Sequence, residues 1–303
     1  MIKNEEYRKL IENPSIKLTD IKLISPPEKV WRYRCFGKWE GSEWKENEFW
    51  KEDISGICYF SIPSEFNKND DSDCKVKFDN DEIIKHMIKG CNLRKSEIRE
   101  ELKKTLYKEL NKYKKELQSK LRVACFSEVK PTEMNMWKDE NFGDFGRGIC
   151  IEYKVDDINF RPDGLPFLPI LYDDEPYDST DVIKAIIDFI NDDSDIGAMT
   201  RMVCLGYGHT LIKPRDYINE KEWRIVIPIR DDGAHKNYYN YDNESKRDMC
   251  SAITAFYLGY NMDSLSRCQE YLNDILDVAK EIKVPVYRLI NENGVLKKHI
   301  INY

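Results

Sequence analysis

The sequence has few of the residues from which metal sites and disulfide frameworks are built. It contains four histidines, at positions 86, 209, 235 and 299, and no C-x-x-C pair. A zinc site is therefore not expected. The nine cysteines are an odd number at irregular intervals, which is typical of buried thiols in a reducing compartment. We expect no metal cofactor and no disulfide framework.

The sequence signatures of several common enzyme classes are also missing. The chain contains no G-x-x-x-x-G-K-[ST], no G-x-S-x-G and no H-E-x-x-H. The sequence therefore gives no motif evidence for a P-loop NTPase, an α/β-hydrolase or a zincin. Acidic runs occur at residues 69–73 and 191–195, but neither has the ligand register of a calcium loop. Both runs are predicted to be surface loops.

A positive net charge and a long apolar run are absent as well. The 303 residues carry a formal net charge of -7, so a nucleic-acid partner would require a local basic patch. No run is long enough to span a bilayer, and the N-terminal M-I-K-N-E-E-Y is charged where a signal peptide is apolar. We therefore expect a cytoplasmic protein without a membrane partner.

The composition is otherwise that of a folded domain, with 41% hydrophobic and 12% aromatic residues. Strand-like runs rich in branched and aromatic residues are separated by helix-like segments, without a regular β-α-β alternation. Residues 81–122 show apolar side chains three and four positions apart, as in amphipathic helices. The sequence predicts one α+β domain over residues 1–303, with a mixed, largely antiparallel sheet. Residues 81–122 form a long helical insertion or subdomain within it.

The stretch N-E-K-E-W-R-I-V-I-P, residues 219–228, is the strongest candidate for chemistry. In a strand, alternate side chains share a face, so Glu220, Glu222 and Arg224 would point into the same space. Two carboxylates at this spacing repel each other unless a cation or polar ligand lies between them. The simpler interpretation is an ion-pair ladder on a solvated sheet face. Arg224 either locks Glu222 in an ion pair, which would disable that carboxylate, or binds a substrate phosphate, and the sequence leaves both open.

Two arginines share one face of the strand predicted at residues 30–36, V-W-R-Y-R-C-F. Arg32 and Arg34 alternate with aromatic and apolar residues, so they point the same way. Guanidinium groups at this spacing fit a diphosphate, because each makes paired hydrogen bonds to phosphate oxygens. Arginine pairs with carboxylates in the same manner, so neutralisation of Glu220 and Glu222 is an alternative of equal weight.

A basic stripe runs along the predicted long helix. Residues 94–122 contain 11 Lys and Arg against 5 Glu. Lys104, Lys108, Lys112 and Lys115 are spaced by four, four and three, which puts them on one helix face. Such a stripe contacts nucleic acid or an acidic partner surface, or it is a solvated helix face, which is the more common case.

Several segments together resemble a widespread bacterial family of unknown function, whose members often sit near phage-defence genes. The segments are W-R-Y-R-C-F (31–36), G-I-C-Y-F-S-I-P-S-E-F-N (56–67), V-A-C-F-S-E (123–128), M-W (136–137), R-G-I-C-I-E-Y (147–153), E-K-E-W-R (220–224) and Y-L-G (257–259). They follow the family's order. The chain departs from it where the usual D-P after F-N is K-N, and where K-D-E-N-F replaces a segment containing H-Y. The resemblance implies a defence or toxin effector without naming a reaction.

A second resemblance concerns mechanism. An arginine on the first strand, a serine on a middle strand and E-x-E at a late strand are similar to the R-S-E arrangement of ADP-ribosyltransferases. This resemblance implies a split sheet and NAD as the substrate. By it, Arg34 or Arg32 holds the NAD diphosphate and Ser127 fixes the strand beside the nicotinamide ribose. Glu222 is then the catalytic glutamate, and Glu220 positions or deprotonates the acceptor.

The chemistry of this reaction fits a pair of carboxylates. Cleavage of the nicotinamide–ribose bond creates an oxocarbenium-like cation, which a nearby carboxylate stabilises. A second carboxylate acts as base toward water or an acceptor side chain. Trp137, Phe142 and Tyr153 are candidates for stacking on nicotinamide or adenine, although a core position is the more common role for such large side chains.

Three functions are therefore open. The leading hypothesis is an ADP-ribosyltransferase-like or NAD-cleaving enzyme that acts as a defence effector on a protein or nucleic-acid acceptor. The second is a non-catalytic module that binds nucleic acid or protein through the lysine stripe. The third is a metal-dependent nuclease with Glu220, Glu222 and acidic loop residues as oxygen ligands.

Overall fold

The computed structural model describes residues 4–12, 25–40, 42–47, 49–63, 73–89, 96–119, 121–158, 167–191, 208–228 and 246–303. The acidic runs predicted as loops therefore lie largely outside the described residues, apart from their ends at Asp73 and Asn191. In the part that is described, no helix is long and apolar enough to cross a membrane.

The α-helices of the described residues are α1 (Asn4–Glu12), α2 (Phe49–Ile54), α3 (Asn80–Lys89), α4 (Ser96–Ser119), α5 (Asn135–Lys138), α6 (Thr180–Asn191) and α7 (Cys268–Ile282). The strands are β1 (Lys29–Arg34), β2 (Gly37–Glu40), β3 (Glu43–Glu46), β4 (Ile57–Tyr59), β5 (Leu121–Ser127), β6 (Ile149–Lys154), β7 (Phe167–Pro169), β8 (Leu171–Tyr172), β9 (Ile212–Lys213), β10 (Glu222–Pro228), β11 (Lys246–Asp248), β12 (Ile253–Leu258), β13 (Val286–Glu292) and β14 (Val295–Ile301).

Eight of these strands form one sheet in the order β14-β13-β12-β6-β1-β5-β10-β7. β12 and β13 run parallel, and every other neighbouring pair in this sheet is antiparallel. The predicted α+β class with a mixed, largely antiparallel sheet is confirmed. Within the segment 56–67 of the family resemblance, β4 covers only Ile57–Tyr59.

Helices cover both faces of the sheet. On one face, α7 buries Tyr271, Ile275 and Ala279, which recur every four residues, against Ile151 and Ile225 of the strands. On the other face, apolar side chains of α1, α3, α4 and α6 pack on β5, β7 and β10. The helices α3 and α4, which fall within the predicted helical region 81–122, thus contribute to the same core as the sheet.

The sheet is nearly split between β1 and β5. These strands share a single residue pair, Trp31 opposite Ser127, whereas β1 pairs with β6 along its whole length. The chain after β4 enters the gap, because Ser61 and Val123 exchange two backbone hydrogen bonds of 2.9 Å. The divergence of the two strands opens a cleft between the two halves of the sheet.

Candidate functional site

A cavity of about 430 Å³ lies where β1 and β5 diverge. This volume is within the range of small-molecule sites. The cavity collects seven of the residues that the sequence singles out, from five separate segments of the chain. They are Arg32, Arg34, Ser127, Phe142, Glu220, Glu222 and Arg224.

Glu220 reaches this cavity from a different backbone position than expected. It ends a 3₁₀ helix, Arg215–Glu220, and Lys221 then adopts a left-handed conformation with φ 45°. The strand β10 begins only at Glu222. The prediction that both carboxylates lie on one strand is therefore wrong, although Glu222 and Arg224 do share a face of β10.

A buried lysine brings the two glutamates together. The Lys213 Nζ lies 2.7 Å from Glu220 Oε2 and 3.3 Å from Glu222 Oε2. Its side chain is 8% exposed, so the ammonium depends on these carboxylates for compensation. Glu222 is also fixed through its backbone, whose N–H donates to the Tyr172 hydroxyl at 2.7 Å.

Arg224 is enclosed by two carboxylates and a carbonyl. Its Nε and Nη2 donate to Glu222 at 2.7 and 3.1 Å, and Nη1 and Nη2 each donate to Asp73 at 2.8 Å. Nη1 also donates to the Thr210 carbonyl at 2.9 Å. With 1% of its side chain exposed, Arg224 is not part of a solvated ladder. It forms the ion pair with Glu222 that the sequence left open, and this pairing keeps Glu222 ionised because it lowers the pKa of that carboxyl.

Asp73 belongs to an acidic run that was predicted to be a surface loop. In the structure its side chain is only 10% exposed, because it forms the second bidentate partner of Arg224. Asp73 does lie in a turn, as predicted, but the prediction that this turn carries it on the solvated surface is wrong. We call Asp73, Glu220, Glu222, Lys213 and Arg224 the carboxylate cluster; it holds three acidic and two basic groups.

The two glutamates of the cluster differ in acidity. Burial alone would raise the pKa of Glu222, but the nearby Arg224 and Lys213 outweigh it and lower that pKa to about 2. Burial raises the pKa of Glu220 to about 7, with repulsion from Glu222 opposing the attraction of Lys213. A pair whose environments separate the two pKa values in this way is typical of acid–base sites.

Ser127 holds the turn that carries Glu220. Its hydroxyl donates to the Glu220 carbonyl and accepts from the Val129 N–H at 2.9 Å. The neighbouring Glu128 N–H donates to the Lys221 carbonyl at 3.0 Å. Ser127 therefore fixes the end of β5 against the start of β10.

The two arginines of β1 converge on a different acid than expected. The fully buried Asp53 of α2 accepts a hydrogen bond from Arg34 Nε, and its Oδ2 lies 3.6 Å from Arg32 Nε. Arg32 also donates to the Cys58 thiol and to the Tyr59 carbonyl. The alternative in which these arginines neutralise Glu220 and Glu222 is wrong, because Asp53 is their carboxylate partner.

The strand register puts arginines and carboxylates on opposite faces of the sheet. Ser127 is directly opposite both Trp31 and Glu222, so these three side chains share a face. Arg32 must then point to the other face, where its guanidinium lies 5.7 Å from the Phe126 ring. The two sets of charges meet only because the cleft passes through the sheet.

Sequence reasoning missed two cations at this cavity, Lys38 and Lys213. Lys38 of β2 lines it, and its ammonium donates to Asn141. No sequence signal distinguishes a hairpin lysine that lines a cavity from one that only contacts water. Lys213, Asp53 and Asp73 could not be identified either, because their partners are distant in sequence.

Two of the three predicted stacking residues lie in the core instead. Trp137 is fully buried, donates from Nε1 to the Pro131 carbonyl and packs edge-on against Tyr33 at 5.2 Å. Tyr153 is also fully buried, with its ring edge-on to Phe126. Neither lines the cavity, so the expectation that they stack on NAD is wrong. Phe142 does line it.

The lysine stripe lies away from this cavity, on α4. Its members, Lys104, Lys108, Lys112 and Lys115, are all exposed. The apolar residues of the same helix, Leu102, Leu106, Leu110 and Tyr113, pack into the core instead.

Comparison with protein-family models, with curated proteins and with solved structures gave no match to this chain. Among the residues that the structure describes, no group of three or more His, Cys, Asp or Glu side chains is arranged to hold a metal ion. The chemistry of the site therefore has to be argued from its own geometry.

Proposed function

We propose that this protein cleaves the nicotinamide–ribose bond of NAD in the cavity between β1 and β5, as a hydrolase or an ADP-ribosyltransferase. The observation that carries the proposal is the distribution of charge around the cavity. Strands β1 and β2 contribute three cations, Arg32, Arg34 and Lys38. The carboxylate cluster contributes its three acidic groups, with Lys213 and Arg224 between them.

This distribution suits a dinucleotide with charges of both signs. The diphosphate of NAD is anionic and would bind the guanidinium and ammonium groups of Arg34 and Lys38. The nicotinamide ring is cationic and would bind beside the carboxylates. Arg34 is 24% exposed and Arg32 5%, so Arg34 is the more accessible diphosphate ligand. Phe142 and Tyr217 line the same cavity and offer aromatic surface to a base.

The two glutamates would then act in sequence on the ribose. As the C–N bond breaks, nicotinamide leaves with the bonding electron pair and the ribose becomes an oxocarbenium-like cation. The fixed Glu222 carboxylate stabilises this cation. Glu220, with its pKa of about 7, takes the proton of the attacking water or acceptor hydroxyl.

The order of strands also supports the proposal. The arginine, serine and glutamate strands, β1, β5 and β10, are neighbours in the sheet. Along the chain they follow one another as arginine, serine and glutamate, which is the order in the resemblance to ADP-ribosyltransferases. The setting of the reaction, a bacterial defence effector, rests on the family resemblance of the sequence segments.

The test is to incubate the purified protein with adenylate-labelled NAD, with and without cell lysate, and to follow free nicotinamide and label transfer. Glu220→Gln and Glu222→Gln are each expected to reduce nicotinamide release by a factor of about 100 or more. Glu292→Gln, on the distant hairpin β13–β14, is the matched control and is expected to retain the wild-type rate. Label on protein or nucleic acid separates transfer from hydrolysis.

A binding measurement makes the test independent of turnover. Calorimetric titration with NAD is expected to detect binding that Arg34→Met and Lys38→Gln each weaken. Lys45→Gln changes the same charge at the residue directly opposite Lys38 in the hairpin, outside the cavity lining, and is expected to bind like wild type. Neither binding nor turnover of NAD, or turnover unaffected by both glutamate substitutions, would refute the proposal.

A further inference from the structure

The exposed face of α4 carries a basic surface that the proposed function does not use. Over residues 101–115 the sequence has six lysines and two glutamates, in a chain whose formal net charge is -7. Lys104, Lys108, Lys112 and Lys115 all lie on the exposed side of the helix. At 1.5 Å per residue they extend over roughly 16 Å.

The orientation of this face is fixed by the packing beneath it. Leu106 and Leu110 lie in the core cluster on the opposite side of α4. Lys114 is turned toward the protein, where its ammonium lies 4.2 Å from the Phe78 ring and donates to the Phe78 carbonyl. The packing therefore fixes the rotation of α4 about its axis, and the four lysines of the stripe all point outward.

An aromatic side chain accompanies the lysines. Tyr107 is 45% exposed, among the most exposed large aromatic side chains of the described residues. It is one turn from Lys104 and follows the same face toward Asn111. Tyr107 is not among the residues of the core clusters, and its ring supplies a flat surface on which a base can stack.

We propose that this face of α4, defined by Lys104, Tyr107, Lys108, Lys112 and Lys115, binds single-stranded nucleic acid. Lysines in a row contact successive phosphates, and stacking on an aromatic ring tolerates any base. An acidic peptide would use the lysines but would have no need of the exposed ring, so the tyrosine favours nucleic acid. This inference stands on α4 alone and does not depend on the proposed reaction.

The experiment is a fluorescence-anisotropy titration of the full chain with labelled oligo(dT) and oligo(U) over about 50 to 200 mM salt. The quadruple variant K104Q/K108Q/K112Q/K115Q is expected to weaken binding at least tenfold. It is also expected to reduce the slope of log K against log salt by roughly 3, since each phosphate contact contributes about 0.7. Tyr107→Ala is expected to weaken binding while the salt slope stays the same.

A matched control has the same change in net charge at exposed lysines elsewhere: K51Q/K154Q/K283Q/K297Q. This control is expected to bind like wild type. The circular dichroism spectra of both quadruple variants are expected to match the wild-type spectrum. Equal loss in both quadruple variants, or no binding by wild type, would overturn the proposal. So would competition by poly-glutamate as strong as by the oligonucleotides together with an unaffected Tyr107→Ala, because the surface would then take acidic protein.

Discussion

Arg224 holds the Glu222 carboxylate with two hydrogen bonds, from Nε to Oε1 at 2.7 Å and from Nη2 to Oε2 at 3.1 Å. Asp73 takes the other side of the same guanidinium through two hydrogen bonds of 2.8 Å. The planar fork of arginine suits this double bidentate arrangement, which a lysine ammonium cannot reproduce. Asp73 and Glu222 therefore share one buried guanidinium as their main counter-charge.

Replacement of this cation is expected to destabilise the fold strongly. Arg224→Met leaves Asp73 and Glu222 buried without their main counter-charge, which is expected to lower the free energy of unfolding by about 3–5 kcal/mol. Arg224→Lys should recover only part of the loss. Arg215→Met is the control, because its side chain is 65% exposed and a change there is expected to stay within about 0.5 kcal/mol. Urea unfolding of the three variants measures the difference; equal stability of Arg224→Met and the control would contradict the burial argument.

The raised pKa of Glu220 gives stability a defined dependence on pH. Its pKa is about 7 in the folded protein against 4.5 in the reference state. Below pH 4.5 both states are protonated; between 4.5 and about 7 the folded state alone keeps the proton. The stabilisation is thus present at low pH and is lost as the pH rises through 7.

The variant Glu220→Gln removes this titration while keeping a neutral side chain of similar shape. As the pH rises from 5 to 8, we expect wild type to lose on the order of 2 kcal/mol more stability than Glu220→Gln. Urea midpoints at the two pH values measure it. A difference that stays constant with pH would show that Glu220 titrates as an ordinary carboxyl.

The local part of this site could be predicted from sequence. Glu222 and Arg224 share a face because alternate side chains of a strand point the same way. This rule depends only on the spacing of the two residues in the sequence. Glu220 escaped the same rule because Lys221 adopts a left-handed conformation, which lysine rarely does and for which the sequence gives no glycine or asparagine signal.

The remote part could not be predicted. Asp73 and Arg224 are 151 residues apart, and no spacing rule links them. The class of the fold followed from the irregular mixture of strand-like and helix-like runs. The order of strands, and with it the single pair Trp31–Ser127 that opens the cleft, depends on tertiary contacts that leave no local pattern.

His209 is expected to make the protein sensitive to acid. It is 2% exposed, with its ring edge-on to Tyr177 at 5.1 Å, and burial lowers its pKa from 6.5 to about 3. A lowered histidine pKa means that the stabilisation is present above pH 6.5 and is lost as the pH falls, because only the unfolded chain then binds the proton.

Replacement of this imidazole by a ring that does not titrate isolates the effect. Between pH 8 and pH 5, wild type is expected to lose about 2 kcal/mol more stability than His209→Phe. The constant effect of the substitution on packing cancels in this comparison. Parallel losses in the two proteins would mean that His209 does not stay neutral in the folded state.

A comparison of Tyr153 with Tyr33 tests whether the Tyr153 hydroxyl has a role in the core or in catalysis. Both are buried, but the Tyr33 hydroxyl donates to the Val129 carbonyl at 2.8 Å, whereas in the described part of the chain the Tyr153 hydroxyl has no hydrogen-bond partner. A buried hydroxyl without a partner is unfavourable, and one with a partner is worth about 1 kcal/mol. Tyr153→Phe is therefore expected to be neutral or stabilising, and Tyr33→Phe to lose about 1 kcal/mol.

The same two variants test the proposed reaction. Because Tyr153 does not line the cavity, Tyr153→Phe is expected to leave nicotinamide release from NAD unchanged at a temperature where both variants are folded. Thermal unfolding and the NAD assay on the same preparations provide the two measurements. A Tyr153→Phe protein that is as stable as wild type but slower in releasing nicotinamide would mean that this hydroxyl takes part in the reaction. The cavity, which already reaches Arg32, would then have to extend further along that face of the sheet to Tyr153.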